Sequence, residues 1–354
     1  MSSILHSRQE PDHFDPMVIG LWIGQVFRAC GVPARDADRV AGILLRTSLR
    51  GIDTHGVTRV RSYVEKLQSG AINPTPKLSA TSRNGMLVCE VDQGLGQIAM
   101  PWAMAQAMTG ARKQACQPFL VRGTGHLDAI GMFVLEAAEA GMVALIAKTT
   151  PPLMAPVGGR RAAIGNNPLA FAMPLAGAPP LVFDAAMSMV GRSKLHAAAR
   201  DGKALGEQWA IGPDGAVTCD ATSGLEGALL PIGGHKGIGL AMMIQCLAGS
   251  LGASVPAGTG GADETGLFGL VINPALIHGR VAFEAESAAW LATYLDAAGP
   301  EARYPGARAA ACEAERLQAG LPLAPNIIAD LQHVAAIAHC PFNPADWSVS
   351  GDND

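Results

Sequence analysis

The chain has 354 residues, 49% of them hydrophobic and 16% charged, with a formal net charge of -4. That length and apolar content suffice for one large domain or two moderate ones, and the scattered Lys and Arg residues exclude the clustered basic face of a nucleic-acid-binding protein. The seven cysteines (Cys30, Cys89, Cys116, Cys219, Cys246, Cys312 and Cys340) are odd in number, widely spaced and without a C-x-x-C pair, so reduced thiols of a cytoplasmic protein are expected rather than disulfides or zinc.

The opening MSSILHSRQEPDHFDP carries charges early and lacks an apolar core, so no signal peptide is expected. Residues 17–30 (MVIGLWIGQVFRAC) have helical apolar spacing and stop at Gly31. A second helix is predicted from Pro33 or Ala34 to Gly51, a C-cap glycine. Asp53, Thr54 and His55 fall in a short connector, and GVTRVRSYVEKLQS is predicted as a third helix ending at Gly70. Residues 1–80 therefore read as a helical part.

From Leu87 the pattern mixes periods. MLVCEVDQ, FLVRG, VALIAKT, LAFAMP and PLVFDAAM read as strands. MPWAMAQAMTGARKQA, after Pro101, and HLDAIGMFVLEAAEAGM read as helices between them. Residues 81–222 are assigned to a central sheet-containing domain, and the class is mixed α/β (α+β). KGIGLAMMIQCLAGSLGA is a strongly apolar helix. The span Gly237–Ala262 has no charged residue and is long enough to cross a bilayer. Its glycines, with Gln245, Ser250, Ser254 and Pro256, favour a buried helix followed by a loop, so no membrane span is expected. LFGLVINP is a further strand, ARAAACEAERLQAG and NIIADLQHVAAIA are helices, and SVSGDND is a frayed tail. Residues 223–354 are expected to pack back on the helical part.

No glycine cluster forms the G-x-G-x-x-G dinucleotide fingerprint. Gly94 and Gly96 lead into Gln97, Ile98 and Ala99, Gly123 and Gly125 lead to Asp128, and Gly258, Gly260 and Gly261 fail the spacing. The Walker pattern is absent as well. The nine histidines form no H-x-x-x-H or H-E-x-x-H pair, so no metal is expected.

The most informative segment is GIDTHGVTRVRSYVEKLQSG. His55, Arg59 and Tyr63 recur every four residues, along one face of the third helix and its entry. An Arg there offers a planar fork for a carboxylate, a His exchanges protons near neutral pH, and a Tyr donates a further hydrogen bond. That is a kit for a small 2-oxo acid. Spacing alone also fits an ordinary polar helix face.

Several motifs in order over residues 15–325 resemble the malate/L-lactate dehydrogenase-like family. Its members include ureidoglycolate dehydrogenase, sulfolactate dehydrogenase and Δ1-piperideine-2-carboxylate reductase. The motifs are GIDTHGVTR, VDQGLGQ, GHLDAIG, PVGGRRAAIGNNPLAFAMP, DAAMS, GHKGIGL and VINP. The resemblance implies a non-Rossmann fold, a helical domain interrupted by a sheet-containing domain, acting as a homodimer with NAD or NADP on a small carboxylic-acid substrate. It makes His55 the proton donor, with Thr54 and Asp184 completing a relay, while His126 competes for the same role. Arg59, Tyr63, Lys148 and Asn167 become substrate contacts. His126, Leu127, Asp128, Ala129, Ile130, Lys148, Asp184, Lys236 and Gly306 become cofactor contacts. Two positions depart from the family pattern: Asp128 replaces a small or apolar residue, and Ala307 replaces a Glu after Gly306. A 2-hydroxy or 2-oxo acid and a cyclic imino acid both remain open as substrates, and a catalytically silent binding protein is the alternative of another class.

Overall fold

The computed structural model describes residues 12–252 and 265–347. The segment through Pro11, the glycine group at Gly258–Gly261 and the tail from Ser348 lie outside the described residues. The chain divides into two compact units. One comprises the residues to Pro74 together with those from Ala309 onward, and the other is Thr75–Arg308.

The first unit is helical. Asp15 caps its opening helix, Pro16–Ala29, by accepting the Met17 N–H at 2.7 Å, with Pro16 where a missing donor costs nothing. Ile19, Trp22, Ile23, Val26 and Phe27 form its buried stripe, and Val40, Ala41 and Leu44 form that of Ala34–Leu49. Helix Val60–Gln68 and the late helix Pro325–Ala338 are joined by Arg61 and Asp330 at 2.7 Å. Trp22 donates to the Cys340 carbonyl and packs on Phe342, ring centroids 4.8 Å apart, which fastens the end of the described chain to the first helix.

The second unit is built on a seven-stranded mixed sheet. Its order is Ser79–Arg83, Met86–Glu90, Cys116–Thr124, Thr265–Ile272, Val143–Lys148, Leu169–Leu175 and Ala178–Ala185. Met86–Glu90 and Cys116–Thr124 run parallel, and the helix Gly96–Gln114 supplies the crossover that a parallel pair requires. This helix starts earlier than predicted and contains Pro101 near its beginning, where proline's missing N–H removes one bond and leaves the later turns intact. The other neighbours are antiparallel. Thr265–Ile272 inserts between Cys116–Thr124 and Val143–Lys148. Gly269 is required there, because a Cβ would lie 2.1 Å from the Phe119 ring that crosses it.

A second, three-stranded sheet (Ala228–Leu229, Ala210–Ile211 and Val217–Thr218) closes over Val190, Leu195, Leu205 and Ala221. The apolar helix His235–Ile244 packs Gly237, Ala241 and Ile244 inward but leaves Leu240, Met242 and Met243 exposed, so it is buried on one face only. No helix among the described residues is long and apolar enough to cross a membrane. The helix Arg280–Ala298 has no sequence-level signal. Its apolar residues lie all round, with Leu291 buried and Val281, Trp290 and Tyr294 exposed.

Candidate functional site

In the helical unit the candidate residues sit where Ala34–Leu49 ends. The chain leaves that helix through Arg50 and Gly51 and turns at Ile52, whose carbonyl accepts the His55 N–H at 2.9 Å. It then enters a 3₁₀ turn, Gly56–Arg59, rather than an α-helix. Gly56 explains this geometry. Its φ is +75°, and a Cβ there would lie 2.5 Å from Ser48 Oγ and 2.6 Å from the Leu44 carbonyl. Only glycine lets the turn rest on the preceding helix so closely, and Ser48 Oγ seals the contact by accepting the Val57 N–H at 2.9 Å.

This fixes the two central side chains. Thr54 Oγ1 lies 2.9 Å from His55 Nδ1. Burial, then the neighbouring Arg59 guanidinium, pushes the His55 imidazole down from 6.5 to about 4, so it is uncharged at neutral pH. Arg59 Nε is buried and has no hydrogen-bond partner among the described residues. A desolvated guanidinium nitrogen with an unmet donor favours an anionic acceptor. Tyr63, one turn further on, is 2% exposed and belongs to the core of this unit. The regular four-residue spacing therefore does not describe one helical face. The 3₁₀ turn advances by roughly 120° per residue rather than 100°, and it places His55 and Arg59 ahead of the helix that carries Tyr63.

In the sheet unit, residues 126–130 are an irregular loop between Cys116–Thr124 and the helix Gly131–Glu139. Leu127, Ala129 and Ile130 are buried, and His126 is exposed. His126 Nδ1 lies 3.3 Å from the Asp128 N–H, which holds that nitrogen as an acceptor. Asp128 is 7% exposed and adopts φ +65°. Gly96 brings the crossover helix against this loop, since a Cβ would meet the Leu127 side chain at 2.5 Å and the His126 carbonyl at 2.9 Å. Asp184, from Ala178–Ala185, accepts the Gly131 N–H at 2.7 Å and so places its carboxylate at the start of the helix Gly131–Glu139. Its edge keeps solvent contact, yet the surrounding protein displaces enough water to push its carboxyl up to about 6, against the opposing pull of the Gly131 N–H.

Lys148 ends its strand buried, and its Nζ donates to Thr265 Oγ1 on the adjacent strand. Thr265 Oγ1 in turn donates to the Thr124 carbonyl at 3.1 Å. Sequence reasoning missed Thr265, because a lone threonine at the start of a strand carries no signal of its own. Asn167 is wholly buried at φ +24°, and its amide is engaged by the Thr150 N–H at 3.0 Å and the Ala241 carbonyl at 2.9 Å. Its side chain therefore locks the turn. Lys236 is exposed in the first turn of His235–Ile244, after Gly233 and Gly234, both at positive φ. Positive-φ glycines before a helix N-terminus with a lysine suit a phosphate group. Gly306, at φ +98°, packs on the Val182 backbone, with Pro305 accepting the Val182 N–H at 2.9 Å. Among the described residues no three His, Cys, Asp or Glu side chains cluster as a metal site.

The residues from 19 to 332 match the protein family described as malate/L-lactate dehydrogenase. A malate dehydrogenase from Pyrococcus abyssi is 36% identical over 239 residues, which spans 65% of this chain and just under two thirds, 66%, of that protein's own length. A Δ1-pyrroline-2-carboxylate reductase from Pseudomonas fluorescens is 31% identical over 318 residues, 87% of this chain and 94% of its own. Among solved structures, the sulfolactate dehydrogenase from Methanocaldococcus jannaschii shares the fold with a TM-score of 0.84 at 26% identity, covering 95% of this chain and 99% of that one. The chain belongs to the malate/L-lactate dehydrogenase family, a family of oxidoreductases.

Proposed function

We propose that this chain is a nicotinamide-dependent oxidoreductase that interconverts a small 2-hydroxy acid and its 2-oxo acid. One observation carries the reading: a guanidinium whose buried Nε has no hydrogen-bond partner among the described residues stands beside a histidine held uncharged at neutral pH. Arg59 takes the substrate carboxylate, which places the C2 hydroxyl within reach of the neighbouring imidazole. In oxidation His55 accepts the hydroxyl proton as C2 gives up its hydride, and in reduction it returns that proton to the C2 oxygen. NAD or NADP, when bound, supplies the hydride-exchanging carbon.

The pairing of the two side chains has a consequence. Arg59 lowers the His55 basicity in the free protein. A bound carboxylate neutralises Arg59, so His55 becomes a stronger base when substrate arrives. By linkage, carboxylate binding is coupled to proton uptake, and affinity rises as pH falls toward the free-protein midpoint of about 4. Histidine-selective NMR tests this. The His55 ring is expected to titrate near 4 in the free protein and to move upward with oxamate, a 2-oxo acid analogue. A midpoint at 6.5 that oxamate does not move would remove the reading.

Within the sheet unit we assign cofactor contacts to the loop His126–Ile130, to Lys148 and Asp184, to Lys236 behind its two glycines, and to Gly306. We read this as non-Rossmann recognition. The missing glycine fingerprint and the mostly antiparallel sheet both support that. Relatives named as NADP-dependent and as NAD-dependent both occur, so the chain is assigned the nicotinamide class without a preference. A cytoplasmic homodimer is the expected state. The seven free thiols support the first part, and the exposed apolar residues of Arg280–Ala298 support the second.

A second reading has its own support. The Δ1-pyrroline-2-carboxylate reductase relative matches over most of both chains, and the buried carboxylate of Asp128 suits a cationic iminium better than a neutral ketone.

A further inference from the structure

Arg316 lies on the late helix Ala307–Ala319, 263 positions from its partner Asp53. One nitrogen of its guanidinium, Nη1, donates to the Ser48 carbonyl at 2.5 Å and to Asp53 Oδ1 at 2.6 Å, and Nη2 donates to Asp53 Oδ2 at 3.3 Å. Ser48 belongs to the last turn of Ala34–Leu49, and Asp53 is the residue before Thr54. A single planar group thus fastens the end of the helix and the connector that leaves it.

The same helix makes a second attachment one turn earlier. Glu313 accepts from Arg46 Nε and from Arg50 Nη1, each at 2.6 Å. Glu313 and Arg316 are three apart and share a helix face, so the late helix is registered both against the end of Ala34–Leu49 and against the connector that follows it. The Asp53 side chain is 66% exposed and that of Arg316 16%. An ion pair with one partner in water contributes little net stability. What it supplies is direction, because a two-pronged contact fixes the carboxylate, and with it the backbone that leads into Thr54 and His55.

We propose that Arg316 is a positioning residue for His55. Its clamp on Asp53 and the Ser48 carbonyl holds the connector so that the Thr54 hydroxyl stays on His55 Nδ1 and the ring keeps the orientation needed for proton transfer. This rests on the reading of His55 given above. Arg59 depends less on the clamp. It lies beyond Gly56, in a turn held by the Val57 N–H on Ser48 Oγ, a contact that Arg316 does not make. Loosening the clamp therefore acts on proton transfer more than on carboxylate capture.

The test uses Arg316→Lys, which keeps the charge and loses the fork, and Asp53→Ala, which removes the exposed partner. Histidine-selective NMR without substrate comes first. In Arg316→Lys the His55 ring resonance and its titration midpoint are expected to shift, while the other histidine signals hold. An unchanged His55 signal overturns the proposal whatever the activity. In turnover, each variant is expected to lose about tenfold in kcat, in keeping with the cost of small displacements at a reacting group. The KM for the acid and the Kd for NADH, followed by fluorescence, are expected to stay within about twofold. The double variant should be no worse than either single one, since both break the same clamp. Full kcat in Arg316→Lys, an additive double variant, or a loss that only follows a fall in Tm would each overturn it. A wild-type protein that turns over no 2-hydroxy, 2-oxo or cyclic imino acid sinks the functional reading instead, and the NMR result still decides the clamp.

Discussion

Replacing His55 with alanine is expected to lower kcat by roughly 10²–10⁴-fold, the range for removing a general acid–base group, while NADH binding stays within about twofold. The size follows from the geometry. The imidazole has Thr54 on one nitrogen and the Arg59 charge nearby, and burial keeps it neutral at pH 7. No other titratable side chain in the connector offers a proton at that position, as Asp53 is engaged by Arg316. Stopped-flow binding of NADH together with steady-state turnover separates the two effects. If His55→Ala turns over at near wild-type rate, the proton belongs to His126, whose loop also carries Asp128.

The Arg59→Ala variant is expected to fail in a different parameter. A carboxylate held by two charge-assisted hydrogen bonds gains about 1.5–3 kcal/mol from each, so the acid's KM should rise by about 10²-fold or more. His55 loses a repelling neighbour in this variant, and its titration midpoint is expected to move up from about 4. Loss of the clamp and gain of basicity therefore arrive together, and the two are measured by initial rates and by histidine NMR. An unchanged KM would show that the unpartnered Nε of Arg59 faces something other than the substrate.

Much of the fold is legible in the sequence, and the exceptions have physical causes. The three N-terminal helices, the crossover helix and the central strands follow from apolar period and from glycine and proline punctuation. The place of Thr265–Ile272 between Cys116–Thr124 and Val143–Lys148 does not. Strand order is set by which faces fit together, and the close crossing of Gly269 by Phe119 is a tertiary fact. The helix Arg280–Ala298 has no period to announce it, because its apolar residues form no stripe.

At the candidate site the residue types were legible and their geometry was not. The 55–59–63 spacing suggests one helical face. The 3₁₀ turn arises from the contact of Gly56 with Ser48 and Leu44, which no local propensity encodes. The resemblance makes Asn167 a substrate contact, and in the fold its amide also bonds Thr150 and Ala241. Neither Arg316 nor Glu313 carries a motif. Their roles depend on a helix more than two hundred residues away in sequence returning to the connector.

The most direct measurement is absorbance at 340 nm for the purified protein with malate, lactate and sulfolactate in the oxidative direction, and with their 2-oxo acids and Δ1-pyrroline- and Δ1-piperideine-2-carboxylate in the reductive direction, using both cofactor pairs. The expected result is turnover of at least one of these acids with NAD or NADP, abolished by His55→Ala and with KM raised by Arg59→Ala. A preference for the cyclic imines would select the reductase reading and give Asp128 a role. No absorbance change with any acid, imine or cofactor would contradict the assignment of oxidoreductase chemistry to His55 and Arg59.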